Sequence, residues 1–197
     1  MKNSCKQLIF LGLLGIIFVF QSCNNLNVKP SFEKGFIKYF GGVSDDFAAS
    51  VEVATDGYVI SGTTSSFTNG LSDVYVAKAD LQGNLLWQKN FGGLGADSGS
   101  MARVLSNGDI IVVGSRNVAD SNAVYLIRLS ANGDSLFGKI YQTVPGSFFL
   151  VDNSSKNIPI VRNISGYDVS PTADGGFIIG GSAFISGFYN ALLLKLD

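Results

Sequence analysis

A set of landmarks returns about every fifty residues, and no other feature restricts the fold of this chain as strongly. Phe40 and Phe91 are 51 residues apart, Asp46 and Asp97 are 51 apart, and Tyr75 and Tyr125 are 50 apart. The first unit holds Lys38-Tyr39-Phe40-Gly41-Gly42, then Asp46, Asp56-Gly57-Tyr58-Val59-Ile60, and Asp73-Val74-Tyr75-Val76-Ala77-Lys78. The second restates it as Lys89-Asn90-Phe91-Gly92-Gly93, Asp97, Asn107-Gly108-Asp109-Ile110-Ile111, and Val124-Tyr125-Leu126-Ile127-Arg128. The third keeps Asp174-Gly175-Gly176-Phe177-Ile178-Ile179 and the run Asn190 to Asp197, after an insertion over Thr143 to Asn163. Self-similarity at this period marks one supersecondary unit stacked into an array.

Each unit carries β-like runs. In the first they are Gly35–Phe40, Ser50–Ala54, Tyr58–Gly62 and Val74–Ala79; in the second, Leu85–Phe91, Met101–Leu105, Asp109–Gly114 and Val124–Leu129. Asp56-Gly57 and Asn107-Gly108 separate the middle runs, a strong hairpin signal. Charged residues are 15% of the chain and Gly numbers 24, which suits short strands joined by tight turns. No window after residue 34 has a helical apolar period with caps. The expected fold is all-β: three four-stranded antiparallel units over residues 35–84, 85–134 and 135–197, the last with its insertion at 143–163.

The pattern Trp87-x-x-x-Phe91-Gly92-Gly93, Asp97, Asp/Asn-Gly-aromatic-Ile-Ile, and Asp-x-Tyr-x-x-Lys-x-Asp-x-x-Gly-Asn resembles a bacterial β-propeller repeat. The resemblance covers Gly35 to Asp197 and implies propeller-type blades in a partial or open propeller. Asp80-x-x-Gly83-x-x-x-Trp87 is similar to the quinoprotein docking motif but one residue shorter between Asp and Gly. The Asp-x-Gly of the sialidase Asp box is absent, so neither chemistry transfers.

The N-terminus sets the expected compartment. Lys2 and Lys6 precede an apolar run, Leu8 to Phe20, of signal-peptide length. Phe20-Gln21-Ser22-Cys23 resembles the lipobox of Bacteroidetes-like lipoproteins. That implies a signal peptide over 1–22, palmitate-type lipidation of Cys23, and a tether over 23–34; the other reading is an ordinary secretory signal. A chain starting at Cys23 keeps 12 basic and 15 acidic residues, since Lys2 and Lys6 leave, and has no second cysteine for a disulfide. The acyl chains would hold it to a membrane without spanning it. No acidic residue stands between Cys23 and Glu33, which favours the periplasmic face of the outer membrane over the cell surface.

The residue types that remain exclude much chemistry. There is no His, and Cys23 is the only cysteine after the leader. Ser-His-Asp and Cys-His catalysis are therefore excluded, as are His/Cys metal sites. No cofactor is expected, and a net charge of −1 argues against nucleic acid. Asp45, Asp46 and Asp97 read either as a calcium or acid/base set or as turn residues repeated by the architecture. Lys78, Arg128 and Lys195 read as a cationic ring or as solvated faces of alternating strands. Trp87, Phe40, Phe91, Tyr75, Tyr125 and Tyr141 read as packing between units. The insertion, with Phe148, Phe149 and Asp152, is either a binding loop or a cap on the last unit.

Function follows as an expectation: a non-enzymatic, envelope-anchored binding or scaffold module for a protein or glycan ligand. A carboxylate-based polysaccharide enzyme and a truncated propeller fragment are the alternatives. Three blades fall short of the 4 to 8 that close a propeller. Either two copies pair into a homodimeric ring, or the array is truncated, or it is an open arc capped by the insertion.

Overall fold

A computed structural model describes residues 6–11, 17–22, 35–68, 70–142 and 161–197. The chain divides into two compact units, Met1–Phe36 and Ile37–Asp197. In the first, β1 (Lys6–Leu11) and β2 (Ile17–Ser22) pair antiparallel, from Lys6 opposite Ser22 to Leu11 opposite Ile17. Cys23 and the tether to residue 34 lie outside the described residues.

The second unit is all antiparallel sheet. Sheet I takes β3 (Asp46–Ala54), β4 (Gly57–Thr64), β5 (Asp73–Ala79) and β6 (Leu85–Phe91), in that order. Sheet II takes β7 (Ser98–Val104), β8 (Ile110–Val118), β9 (Ser121–Leu129) and β10 (Ser135–Tyr141), again in chain order. Sheet III takes β11 (Val161–Pro171), β12 (Phe177–Ile185) and β13 (Phe188–Leu196). No helix occurs among the described residues.

Turn chemistry explains why neighbouring strands pair. Asp80 Oδ1 accepts the N–H groups of Gln82 and Asn84 at 2.9 and 2.8 Å, and Gly83 N–H returns to the Asp80 carbonyl. Ser130 Oγ does the same for Asn132 and Asp134 between β9 and β10. Gly133 there has φ +82°, and the Trp87 ring comes within 2.9 Å of where a Cβ would stand. Only glycine meets both demands. Trp87 Nε1 also donates to the Ala131 carbonyl at 3.3 Å, tying sheet I to a turn of sheet II.

Sheet II is buried on both faces. Ile110, Val112, Tyr125, Ile127 and Leu129 pack with Val59, Val74 and Val76 of sheet I. Ile111, Val113, Val124 and Leu126 pack with Ile164, Val169, Ile179 and Ala183 of sheet III. The first strands β3, β7 and β11 lie side by side. Arg103 on β7 reaches Glu52 on β3 and Asp168 on β11, each at 3.2 Å. Ser50 Oγ, bonded to Ser61 Oγ, also accepts the Ala102 N–H across the sheet boundary.

Four details differ from the sequence expectation. Gly35–Phe40, read as a strand, has no strand structure. Leu85–Phe91, read as opening the second unit, instead closes sheet I, because the Asp80–Asn84 turn folds it back onto β5. Sheet III therefore has three described strands rather than four. The end of the presumed insertion, Val161 to Asn163, is already part of β11.

Ile110→Ala and Ile111→Ala each empty one face of sheet II, and each is expected to cost about 2–5 kcal/mol in urea unfolding. Leu81→Ala, at a half-exposed turn position, is expected to stay within about 0.5 kcal/mol.

Candidate functional site

The Gly-Gly-Asp landmark folds the same way in both units that carry it. Asp46 Oδ2 accepts the Gly42 N–H at 2.8 Å, and Asp97 Oδ2 accepts the Gly93 N–H at 2.6 Å. Each carboxylate thus holds the chain as it enters its sheet. Asp46 also accepts from the Thr64 and Ser66 hydroxyls at 2.5 and 2.7 Å. Burial raises its pKa, but these bonds and the backbone donors of Gly42 and Ser66 outweigh that and hold it below the ordinary value. Asp45 is exposed, and its carbonyl accepts the Ser65 N–H.

Asp97 is fully buried, and its Oδ1 accepts the Asn117 N–H at 2.8 Å. Beside it lies Asp73, also buried. Asp73 Oδ2 accepts from Asn90 Nδ2 at 2.7 Å, while Asp73 Oδ1 is buried with no hydrogen-bond partner. A Cβ on Gly92 would stand 2.1 Å from Asp73 Oδ1 and 2.6 Å from Asp97 Oδ2. The two oxygens are therefore no further apart than the sum of those distances, 4.7 Å. The Arg116 guanidinium sits nearby, 2.9 Å from the corresponding point on Gly93 and 5.2 Å over the Tyr125 ring. Burial, foremost, raises the Tyr125 pKa, and Arg116 opposes it.

At no more than 4.7 Å this pair is closer than the about 5–5.5 Å of a retaining hydrolase, and it lacks the access. Catalytic carboxylates must flank a bond of the substrate, and both of these are sealed from solvent. An open depression in the second unit, about 270 Å³, lies elsewhere, along Lys38 to Gly41 and Gly83 to Leu85, with Gln88. No three acidic, His or Cys side chains gather into a metal-ligand group among the described residues.

Each recurring cation is paired with a carboxylate of its own sheet, Lys195 while exposed to solvent. Lys78 Nζ meets Asp56 at 2.7 Å, Arg128 Nη2 meets Asp109 at 2.7 Å, and Lys195 Nζ meets Asp174 at 2.7 Å. In every sheet the third strand clamps the turn between the first two. Lys78 is itself buried. The Lys78 ammonium holds the Asp56 pKa down, Asn107 and then Arg128 lower that of Asp109, and Lys195 lowers that of Asp174.

Apart from Phe40, which lines the open depression, the aromatic landmarks are packing groups. Trp87 and Phe91 lie against the core between sheets I and II, which includes Tyr125, and Tyr141 lies against the core between sheets II and III. Tyr75 stacks on Phe67 and donates to Gln88 Oε1 at 2.7 Å; burial and then Asp46 push its pKa up to about 12. Phe148, Phe149 and Asp152 lie outside the described residues. No family model matches the chain, and no curated protein is similar to it.

Asp97→Asn replaces a carboxylate that takes two backbone N–H groups in a dry site, and is expected to cost about 1–3 kcal/mol in chemical unfolding. Asp73→Asn replaces one of two crowded buried carboxyl groups and offers an N–H where Asp73 Oδ1 has no donor. It is expected to leave the unfolding midpoint unchanged or raise it, and a fall comparable to that of Asp97→Asn would contradict this account.

Proposed function

We propose that this chain is a lipid-anchored envelope protein whose sheets are propeller-type blades in an open arc, acting as a non-enzymatic binding or scaffold module. The repeat period, the four-strand meanders of sheets I and II and the adjacent first strands support the propeller reading. The observation that carries the non-enzymatic reading is the engagement of the recurring ionisable side chains. Asp46 and Asp97 hold glycine N–H groups, and Lys78, Arg128 and Lys195 each clamp a turn. Repeated charge in this fold serves the fold.

Recognition then falls to parts that do not repeat. The segment 143–163, with Phe148, Phe149 and Asp152, is the first place to seek a protein or glycan ligand, because insertions in repeat arrays gather on one face. A polysaccharide-active enzyme is opposed by both the close spacing and the burial of Asp73 and Asp97. Anchoring rests on Cys23 and the apolar leader, with the periplasmic face of the outer membrane as the proposed site.

The test is labelling in a Gram-negative host. The full chain is expected to incorporate labelled palmitate and to fractionate with the outer membrane. Cys23→Ala is expected to lose both properties. Label retained by Cys23→Ala, or a wild-type chain that is released unlabelled, would overturn the anchor.

A further inference from the structure

Asp73 Oδ1 is the one buried side-chain oxygen or nitrogen left without a hydrogen-bond partner among the described residues. Asp73 opens β5 and is 2% exposed; Asp97, fully buried, stands just before β7. The backbone is stitched beside them. Asp97 N–H donates to the Ser72 carbonyl at 2.8 Å, and Ser72 Oγ donates to the Asp97 carbonyl at 2.9 Å. Three of the four carboxyl oxygens are engaged: Asp73 Oδ2 by Asn90, Asp97 Oδ1 by the Asn117 N–H, and Asp97 Oδ2 by the Gly93 N–H. Asp73 Oδ1 has no such donor. It shares with Asp97 Oδ2, no more than 4.7 Å away, the space that a Cβ on Gly92 would fill.

The first unit has the same Gly-Gly-Asp turn without this gap. Around the corresponding point on Gly41 the nearest atoms all belong to Asp46. The Asp46 oxygens accept from the Gly42 N–H and from the Thr64 and Ser66 hydroxyls. The turn itself therefore needs one carboxylate with internal donors. Asp73 adds a second carboxyl between sheets I and II, and Ala123 stands at its place in sheet II. A buried acceptor without a donor is destabilising, and so is a second carboxylate at this distance, unless positive charge lies between the two. Arg116 does not provide it. Its guanidinium lies 5.2 Å over the Tyr125 ring, and the ion pairs among the described residues include neither Asp73 nor Asp97.

We propose that Asp73 and Asp97 hold a calcium ion at the junction of sheets I and II. Asp73 Oδ1 and Asp97 Oδ2 are its charged ligands, and neutral oxygens, from carbonyls of the 92–97 loop or from water, complete the shell. Calcium takes oxygens at about 2.3–2.6 Å, so one ion spans two oxygens up to about 5 Å apart. Oxygen donors without His or Cys select a hard cation over zinc or copper, and calcium accepts an irregular shell where magnesium does not. One divalent ion balances two carboxylates. Gly92 and Gly93, against which the two carboxyls sit, are only half-buried, which gives the ion its way in. Bound there, the ion ties the start of β5 to the entry of sheet II and makes the docking of these two sheets calcium-dependent. The inference needs neither the lipid anchor nor any ligand of the insertion.

Calcium alone is the probe, applied to the full chain and read by titration calorimetry and by urea unfolding. The expected result is one calcium per chain, and a higher unfolding midpoint in about 1 mM calcium than in chelator. Asp97→Asn loses stability in its own right, so Asp73→Asn carries the test. It is expected to weaken calcium binding by about tenfold or more and to lose the calcium-dependent shift. Its midpoint in chelator is expected to stay at or above that of the unsubstituted chain. Asp45→Asn, at an exposed carboxylate, is expected to keep both the binding and the shift. The inference is overturned if the chain, with its sheet content intact by circular dichroism, binds no calcium and unfolds at one midpoint in calcium and chelator; a shared proton then holds the pair. It is equally overturned if Asp73→Asn binds calcium as the unsubstituted chain does, which would put the ion elsewhere.

Discussion

Everything in the second unit depends on burying both faces of sheet II. Its strands alternate, so Ile110, Val112, Ile127 and Leu129 point to one neighbour and Ile111, Val113, Val124 and Leu126 to the other. Each fully buried aliphatic side chain contributes about 1.5–3 kcal/mol relative to exposure. No cysteine occurs beyond Cys23, so no cross-link within the sheets shares this load. A sheet dry on both sides tolerates few polar groups, and the charged side chains that recur are accordingly pushed to strand ends and turns.

At those ends the charges act as fasteners. Asp97 joins the entry loop of sheet II to the end of β8 through Gly93 and Asn117, and Arg103 links three first strands at once. The partly exposed Arg103 pairs contribute little to stability singly. Their value is positional, since they set where each strand begins and which strand is its neighbour. An array built this way keeps its recurring ionisable groups engaged within the fold.

Much of this was legible in the chain. The fifty-residue period, the Asp/Asn-Gly turns and the alternating runs locate almost every strand from β3 to β13. The phase of the units was not legible, because a repeat has no marked beginning; Leu85–Phe91 follows the Asp80–Asn84 turn and so belongs with β5. Gly35–Phe40 has a strand's composition but pairs with no strand among the described residues, Lys38 instead bonding Asn84 at the start of β6. Asp73 was missed as a partner of Asp97 because it does not repeat, Ala123 standing at its place in sheet II. The link from Glu52 through Arg103 to Asp168 joins unlike residues, although Glu52 and Arg103 do carry the 51-residue spacing. The clamps by Lys78, Arg128 and Lys195 were visible as a recurrence but not as pairs, since each partner lies about twenty residues away across a strand.

The account stands on one stacking rule: the face carrying Val76 or Leu126 meets the backward face of the next sheet. Methyl-labelled protein read by nuclear Overhauser contacts tests that rule most directly. The account requires contacts between Val76 and the Val112–Ile127 cluster, and between Leu126 and the Ile179–Leu194 cluster. Absence of both sets, with the strand-pair contacts inside each sheet intact, would mean that the three sheets form but do not stack, and would contradict it.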